Sequence, residues 1–122
     1  MAHGTVDWFQ IDTDDPESTK RFYGELFNWT FGADPSNGDA YQLVTAADSD
    51  RPQGGVADTR GESANGATFF VVVSDVAAAA KQAEELGGKV VIPPKTTPNG
   101  LSFAHLRDPH GNDFGVYTPP AG

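Results

Sequence analysis

Cysteine is absent from the 122 residues, which excludes disulfides, thiol nucleophiles and thiolate metal sites. The absence also fits a cytoplasmic protein. Cations are scarce: 8 Lys and Arg stand against 17 Asp and Glu, a formal net charge of -9. A chain of that balance repels a nucleic-acid backbone and attracts cationic small molecules. No apolar run approaches the ~18 residues that a membrane-spanning helix needs. No basic stretch leads into an apolar one at the start, so no signal peptide is expected.

Turn formers are what the chain has in plenty, with 14 Gly and 9 Pro. They punctuate several short strands. The length suits one domain over residues 1–122. Thr5 to Ile11 alternates in a way that buries something on both faces of a strand. Asp15 is a good N-cap, Pro16 a good first helical residue, and Glu17 favours the positive end of the helix. A helix is therefore predicted over about 16–27. Thr19, Phe22, Tyr23, Leu26 and Phe27 form its predicted buried stripe, and Asn28 its C-cap. Short strands at 29–31, 40–45 and 54–57 follow, with a turn over 34–38 and a polar loop over 48–52. The first half, 1–57, reads β-α-β-β-β.

Residues 58–66 have linker composition. After them the order repeats over 67–122. There is an apolar strand at 67–73, then a helix over about 75–86 that Ser74 can cap. Val76, Ala79 or Ala80, Ala83 and Leu86 are predicted inward, and Gly87-Gly88 stops the helix. A strand at 89–92, a loop at 93–100, and strands at 101–106 and 113–117 complete it. The result is an internal duplication of about 55–60 residues.

Three stretches, "WFQIDTDDPESTKRFYGELFNW", "VVVSDVAAAAKQAEELGGKVV" and "LRDPHGNDFGVY", taken in this order and spacing, resemble the vicinal oxygen chelate superfamily. Its members include glyoxalase I, extradiol dioxygenases and bleomycin-resistance proteins. The resemblance implies an α+β fold of two tandem βαβββ modules, whose mixed sheet curls into a cup with the helices outside. It also implies a homodimer as the usual assembly.

Metal-using relatives carry His, Gln or Glu at fixed strand positions facing the cup. Carried onto this chain, those positions fall on Trp8, Phe69 and Gly115, with a fourth near Tyr41 to Leu43, where no carboxylate or His lies and Gln42 is a weak possible ligand. A divalent ion needs several oxygen or nitrogen donors converging on one point. No metal site and no cofactor are therefore expected. The resemblance places Trp8 and Phe69 on the concave face, where aromatic walls suit a planar or apolar ligand.

Asp108 to Asn112 has turn chemistry at every position, so His110 reads as a loop residue. His3 lies near the terminus and reads as exposed. Leu101, Phe103, His105 and Arg107 share one face of a predicted strand. If that face lines the cup, His105 can bond a ligand or act as a base, although a satisfied histidine at the sheet rim is the plainer reading. Asp7 and Asp113 are expected to face solvent. No nucleophile elbow and no phosphate loop occur.

The reading that follows is a small-molecule-binding protein resembling the bleomycin-resistance type, which sequesters a drug without chemistry. Its ligand, planar aromatic or cationic, meets Trp8, Gln42, Phe69, Phe103, His105, Gly115 and Tyr117. The alternative is a lyase, isomerase or dioxygenase similar to glyoxalase I, using a divalent metal or His105 as acid and base. A non-catalytic partner module, showing an exposed apolar patch, is the third.

Overall fold

A computed structural model describes residues 3–34 and 38–120, the side chains of 38 and 39 excepted. Its elements run β1 (Val6–Thr13), α1 (Pro16–Phe27), β2 (Thr30–Asp34), β3 (Gly38–Thr45), β4 (Gly54–Asp58), β5 (Gly66–Val72), α2 (Val76–Glu85), β6 (Lys89–Thr96), β7 (Ser102–Arg107) and β8 (Asp113–Thr118). This is the duplicated βαβββ order. Two compact units emerge. The first is Trp8–Thr68, and the second begins at Phe69 and takes in the N-terminal residues up to Asp7. Thr5 and Gly4 belong to the second unit because they exchange backbone hydrogen bonds with Val72. The residues of the expected 34–38 turn lie partly outside those described. Among the described residues no helix is long and apolar enough to cross a membrane.

In the first unit the strands lie in the order β2-β3-β4-β1, with β1 and β4 parallel and the other pairs antiparallel. The second unit repeats this as β6-β7-β8-β5, with β5 and β8 parallel. A parallel pair cannot be closed by a tight turn. The helix and two strands between the paired strands supply the crossover in both units.

Both helices start where cap chemistry places them. Asp15 accepts a hydrogen bond from the Ser18 N–H at 3.1 Å, Pro16 follows it, and Asn28 ends α1 in the left-handed conformation at φ 59°. In α2 the cap is Asp75, which accepts from the Ala78 N–H at 3.0 Å. Ser74 was the expected cap, but its N–H instead donates to His3 Nδ1. Aspartate one residue later reaches the first free N–H groups, which is what fixes an N-cap.

The second unit has a compact aliphatic core. Val76 and Ala80 of α2 pack on Val73, Ala104, Leu106 and Val116, with Ala79, Ala83, Val90 and Phe114 around them. Leu106 is 1% exposed. Burying one such side chain contributes about 1.5–3 kcal/mol. Leu86 does not join them and is 70% exposed, because the helix ends at Glu85.

α1 departs from the expected buried stripe. No residue of α1 is fully buried. Phe22, Leu26 and Phe27 are exposed, while Pro16, Thr19, Lys20, Tyr23 and Gly24 form the half-buried side. Tyr23 stacks on Trp29 with centroids 5.3 Å apart, and Trp29 meets Phe9 at 5.5 Å. The contact is thus carried by large rings at one turn of the helix.

β6 is four residues longer than expected. Pro93 and Pro94 have loop composition, yet Lys95 pairs with Phe103 and Thr96 with Ser102. Register shifts around Ile92 absorb the missing N–H groups. Proline is tolerated in an edge strand, and β6 is the edge of its unit.

Candidate functional site

Strand alternation divides each sheet into a face packed on its helix and a helix-free face. In the second unit the helix-free face is set by β7 and β8. His105 pairs with Gly115, and Phe103 with Tyr117. On β5, Phe70 pairs with Gly115 and so brings its ring to this face. Phe70 meets His105 edge-on at 5.3 Å and Tyr117 at 6.4 Å, and Phe103 meets His105 at 5.9 Å. Phe70 is 5% exposed, whereas Phe103, His105 and Tyr117 are half-buried.

The polar groups on this face are few. Tyr117 donates from its hydroxyl to Asp7 Oδ2 at 3.2 Å. Burial pushes the Tyr117 phenol up to about 12, and the charge of Asp7 and the hydrogen bond to it add to the effect. Tyr117 is therefore a neutral donor over the whole physiological range. Arg107 Nε donates to Asp113 Oδ1 at 2.6 Å. Asp7 and Asp113 are solvent-exposed, as expected, and each carries a partner.

Gly115 decides what this face can hold. A Cβ built on it would overlap the Phe70 ring. The residue that would offer a ligand in a metal-using relative is missing, and an aromatic ring fills its place. Phe69, expected on the concave face, lies on the other side. Its ring stacks on Phe114 at 6.0 Å, and Phe114 packs against the core beneath α2. Consecutive strand residues point to opposite faces, so the position belongs to Phe70.

The first unit has a helix-free face of its own. Trp8 Nε1–H donates to the Tyr41 hydroxyl at 3.0 Å, and Gln10 Nε2 donates to Asp12 Oδ1 at 2.8 Å. Burial pushes the Tyr41 phenol up to about 12, opposed by the Trp8 bond and reinforced by Asp12 and Asp34. Tyr41 covers Gly55 as Phe70 covers Gly115. Gln42 is absent from this face. It pairs with Val56, which is 1% exposed and on the side of Phe9, so the one-residue step from Tyr41 turns Gln42 toward α1.

None of the four positions fits a divalent ion. An indole N–H only donates, Phe69 and Gly115 have no donor atom, and Gln42 points to the helix side. Among the described residues no three His, Asp or Glu side chains gather closely enough to hold a metal.

The turn at 108–112 is structural, as its composition indicates. Asp108 accepts from the backbone N–H and the side-chain amide of Asn112, which chiefly hold its carboxyl below the usual range, and from the backbone N–H of His110. Gly111 adopts φ +90° and His110 is exposed. Of the seven expected ligand contacts, Phe103, His105, Gly115 and Tyr117 come together on one face. Trp8 belongs to the first unit, while Gln42 and Phe69 turn to the helix sides. Phe70 joins the first four on that face and Tyr117 ties Asp7 to it; neither is legible locally, because the Phe70–Gly115 pairing and the Tyr117–Asp7 bond join residues distant in sequence.

Residues 5–116 match the model of the glyoxalase/bleomycin resistance protein/dioxygenase superfamily. A glyoxylase-like domain-containing protein of Didymella fabae is 30% identical, over 98% of both chains. A putative glyoxylase, CFP32, of Mycobacterium bovis is 30% identical over 95% of this chain, which spans only 44% of that relative. Among solved structures, a Mycobacterium tuberculosis methylmalonyl-CoA epimerase superposes with a TM-score of 0.66 at 15% identity, covering 99% of this chain and 93% of the other. A hypothetical protein of Bacillus halodurans gives 0.68 at 10% identity, over 98% and 96%. At those identities the structures speak to the fold alone. The chain belongs to the glyoxalase/bleomycin resistance protein/dioxygenase superfamily.

Proposed function

We propose that this chain binds a small planar or apolar molecule on the helix-free face of its second unit, without a metal ion. The observation that carries the reading is the Phe70 ring seated over Gly115, where a ligand-bearing side chain has no room. Phe103 and Tyr117 offer ring surface over the buried Phe70, and His105 and the Tyr117 hydroxyl offer polar handles for orientation. The net charge of -9 speeds the approach of a cationic ligand over an anionic one. Affinity then comes from stacking and burial, which suits sequestration.

A thermal-shift screen of planar aromatic cations and their neutral analogues tests this. Phe103→Ala should weaken the best ligand by about 2–12-fold, the worth of one aromatic contact. An unchanged Kd in Phe103→Ala would remove the face from the assignment.

A second reading is favoured by one observation: His105 stands on the same face, in a family whose relatives carry glyoxylase names. It is metal-independent acid–base chemistry with His105 taking and returning a proton. Deuterium exchange into a bound carbonyl compound, lost in His105→Ala, would establish it over sequestration.

A further inference from the structure

We propose that Asp7 and Tyr117 make the rim of the second unit's helix-free face selective for a planar ligand that carries N–H donors on a cationic nitrogen, a protonated primary amine or an amidinium. The inference rests on the ligand reading above and adds the pair of residues that chooses among its ligands.

Backbone hydrogen bonds set both residues in place. The Val72 N–H donates to the Thr5 carbonyl at 2.9 Å, and the Gly4 N–H donates to the Val72 carbonyl at 2.7 Å. The segment leading into β1 is thereby tied to β5, and Asp7 follows directly behind the tie. Tyr117 pairs with Val72 on one side and with Phe103 on the other, and its carbonyl accepts from the Val73 N–H at 2.9 Å. The 3.2 Å bond from the Tyr117 hydroxyl to Asp7 Oδ2 therefore joins two positioned groups.

That bond fixes the polarity of the rim. A tyrosine hydroxyl has one hydrogen and two acceptor lone pairs, and an ionised carboxylate only accepts. The single hydrogen of Tyr117 is spent on Asp7, and the phenol, pushed up to about 12 by burial, keeps that hydrogen at neutral pH. The Asp7 carboxylate has no second side-chain partner among the described residues. What the pair leaves for a ligand is lone pairs alone. A group that donates several hydrogens and carries positive charge satisfies it best, because charge-assisted hydrogen bonds are the stronger ones.

Ring surface lies beside these acceptors. Phe103 stands directly across from Tyr117 on β7, and both rings are half-buried. A flat ring laid on Tyr117 sets a substituent nitrogen beside the hydroxyl and its carboxylate. The net charge of -9 draws every cation alike, so it does not separate one cation from another. A quaternary ammonium has the charge and the ring-face attraction of a primary ammonium but no N–H. The rim separates the two.

Titration of the full chain at neutral pH, followed by NMR chemical shifts, tests the proposal with three probes on one ring: naphthylmethylamine, its trimethylammonium analogue and naphthylmethanol. The primary amine should bind the wild type about tenfold more tightly than either of the others, the low end for a charge-assisted bond because Asp7 is exposed. Asp7→Asn keeps an acceptor for Tyr117 and removes the charge. It should bring the amine within about twofold of the alcohol and leave the alcohol unchanged. Glu84→Gln removes one charge from the exposed side of α2 and should preserve the preference. Asp7 and Glu84 are both exposed, so folding is retained, and far-UV circular dichroism checks it. Equal affinity for the two cations overturns the proposal and leaves the ligand reading in place. So does a preference that survives Asp7→Asn, or one that falls as far in Glu84→Gln. Failure of all three probes to bind at about 10 mM removes the ligand reading and this inference with it.

Discussion

The ring of Phe70 occupies the space above Gly115 that any side chain at that position would need. The two residues pair directly across β5 and β8, so neither can move without disturbing a parallel ladder. Gly115→Ala should therefore destabilise the chain by about 1–3 kcal/mol, the usual cost of overpacking. In a Phe70→Ala background the same substitution should cost almost nothing. Urea midpoints of the four variants measure the coupling, and equal costs in both backgrounds would contradict the contact.

Leu106 and Leu26 are the same residue in opposite settings, 1% and 57% exposed. Leu106→Ala should cost about 2–5 kcal/mol, because it opens a cavity between α2 and the sheet. Leu26→Ala, measured in dilute protein, should stay within about 0.5 kcal/mol.

Asp15 and Asp75 each hold a free N–H at the start of a helix. Asp15→Ala and Asp75→Ala should each lower stability by about 1 kcal/mol. Ser74→Ala should do much less, because its hydroxyl caps nothing. Matching losses for Ser74 and Asp75 would move the cap back by one residue.

Tyr41 and Tyr117 are both raised to about 12 from the ordinary 10, burial being the largest cause for each. A folded pKa above the unfolded one means that the folded chain holds its proton longer. The associated stability is fully present below pH 10 and is lost as the pH climbs from about 10 through 12. Absorbance at 295 nm should show both phenols ionising near 12, and Tyr41→Phe and Tyr117→Phe should each remove part of that late phase. Stability of either variant should fall less steeply with alkali than that of the wild type.

The features legible in the sequence are those fixed by chemistry within a few residues. Asp15-Pro16 and Asn28 bound α1 because caps act locally, and Asp108 to Asn112 fold on their own hydrogen bonds. The duplication was legible because the same order of patterns appears twice. Three features were hidden, each needing a partner distant in sequence. In "TFFVVV" every residue is apolar, so nothing local says whether Phe69 or Phe70 faces the helix, and a one-residue slip exchanges the faces. On α1, apolar residues spread over adjoining faces: Phe22 meets Tyr23 edge-on at 5.1 Å, yet Phe22 is exposed and Tyr23 half-buried. Trp29, which meets Tyr23, Phe27 and Phe9, lies beyond the helix and selects the side that packs. Pro93-Pro94 reads as a loop until β7 is seen to pair beyond it.

With Phe70 seated over Gly115, the second unit has no side chain at that position to hold a metal ion. Metal content of the untagged chain, incubated with Ni, Zn, Mn or Fe(II) and then desalted, tests it most directly. Close to zero metal per chain is expected for all four ions. Roughly one ion per chain surviving desalting would contradict it and turn the search to metal-dependent turnover.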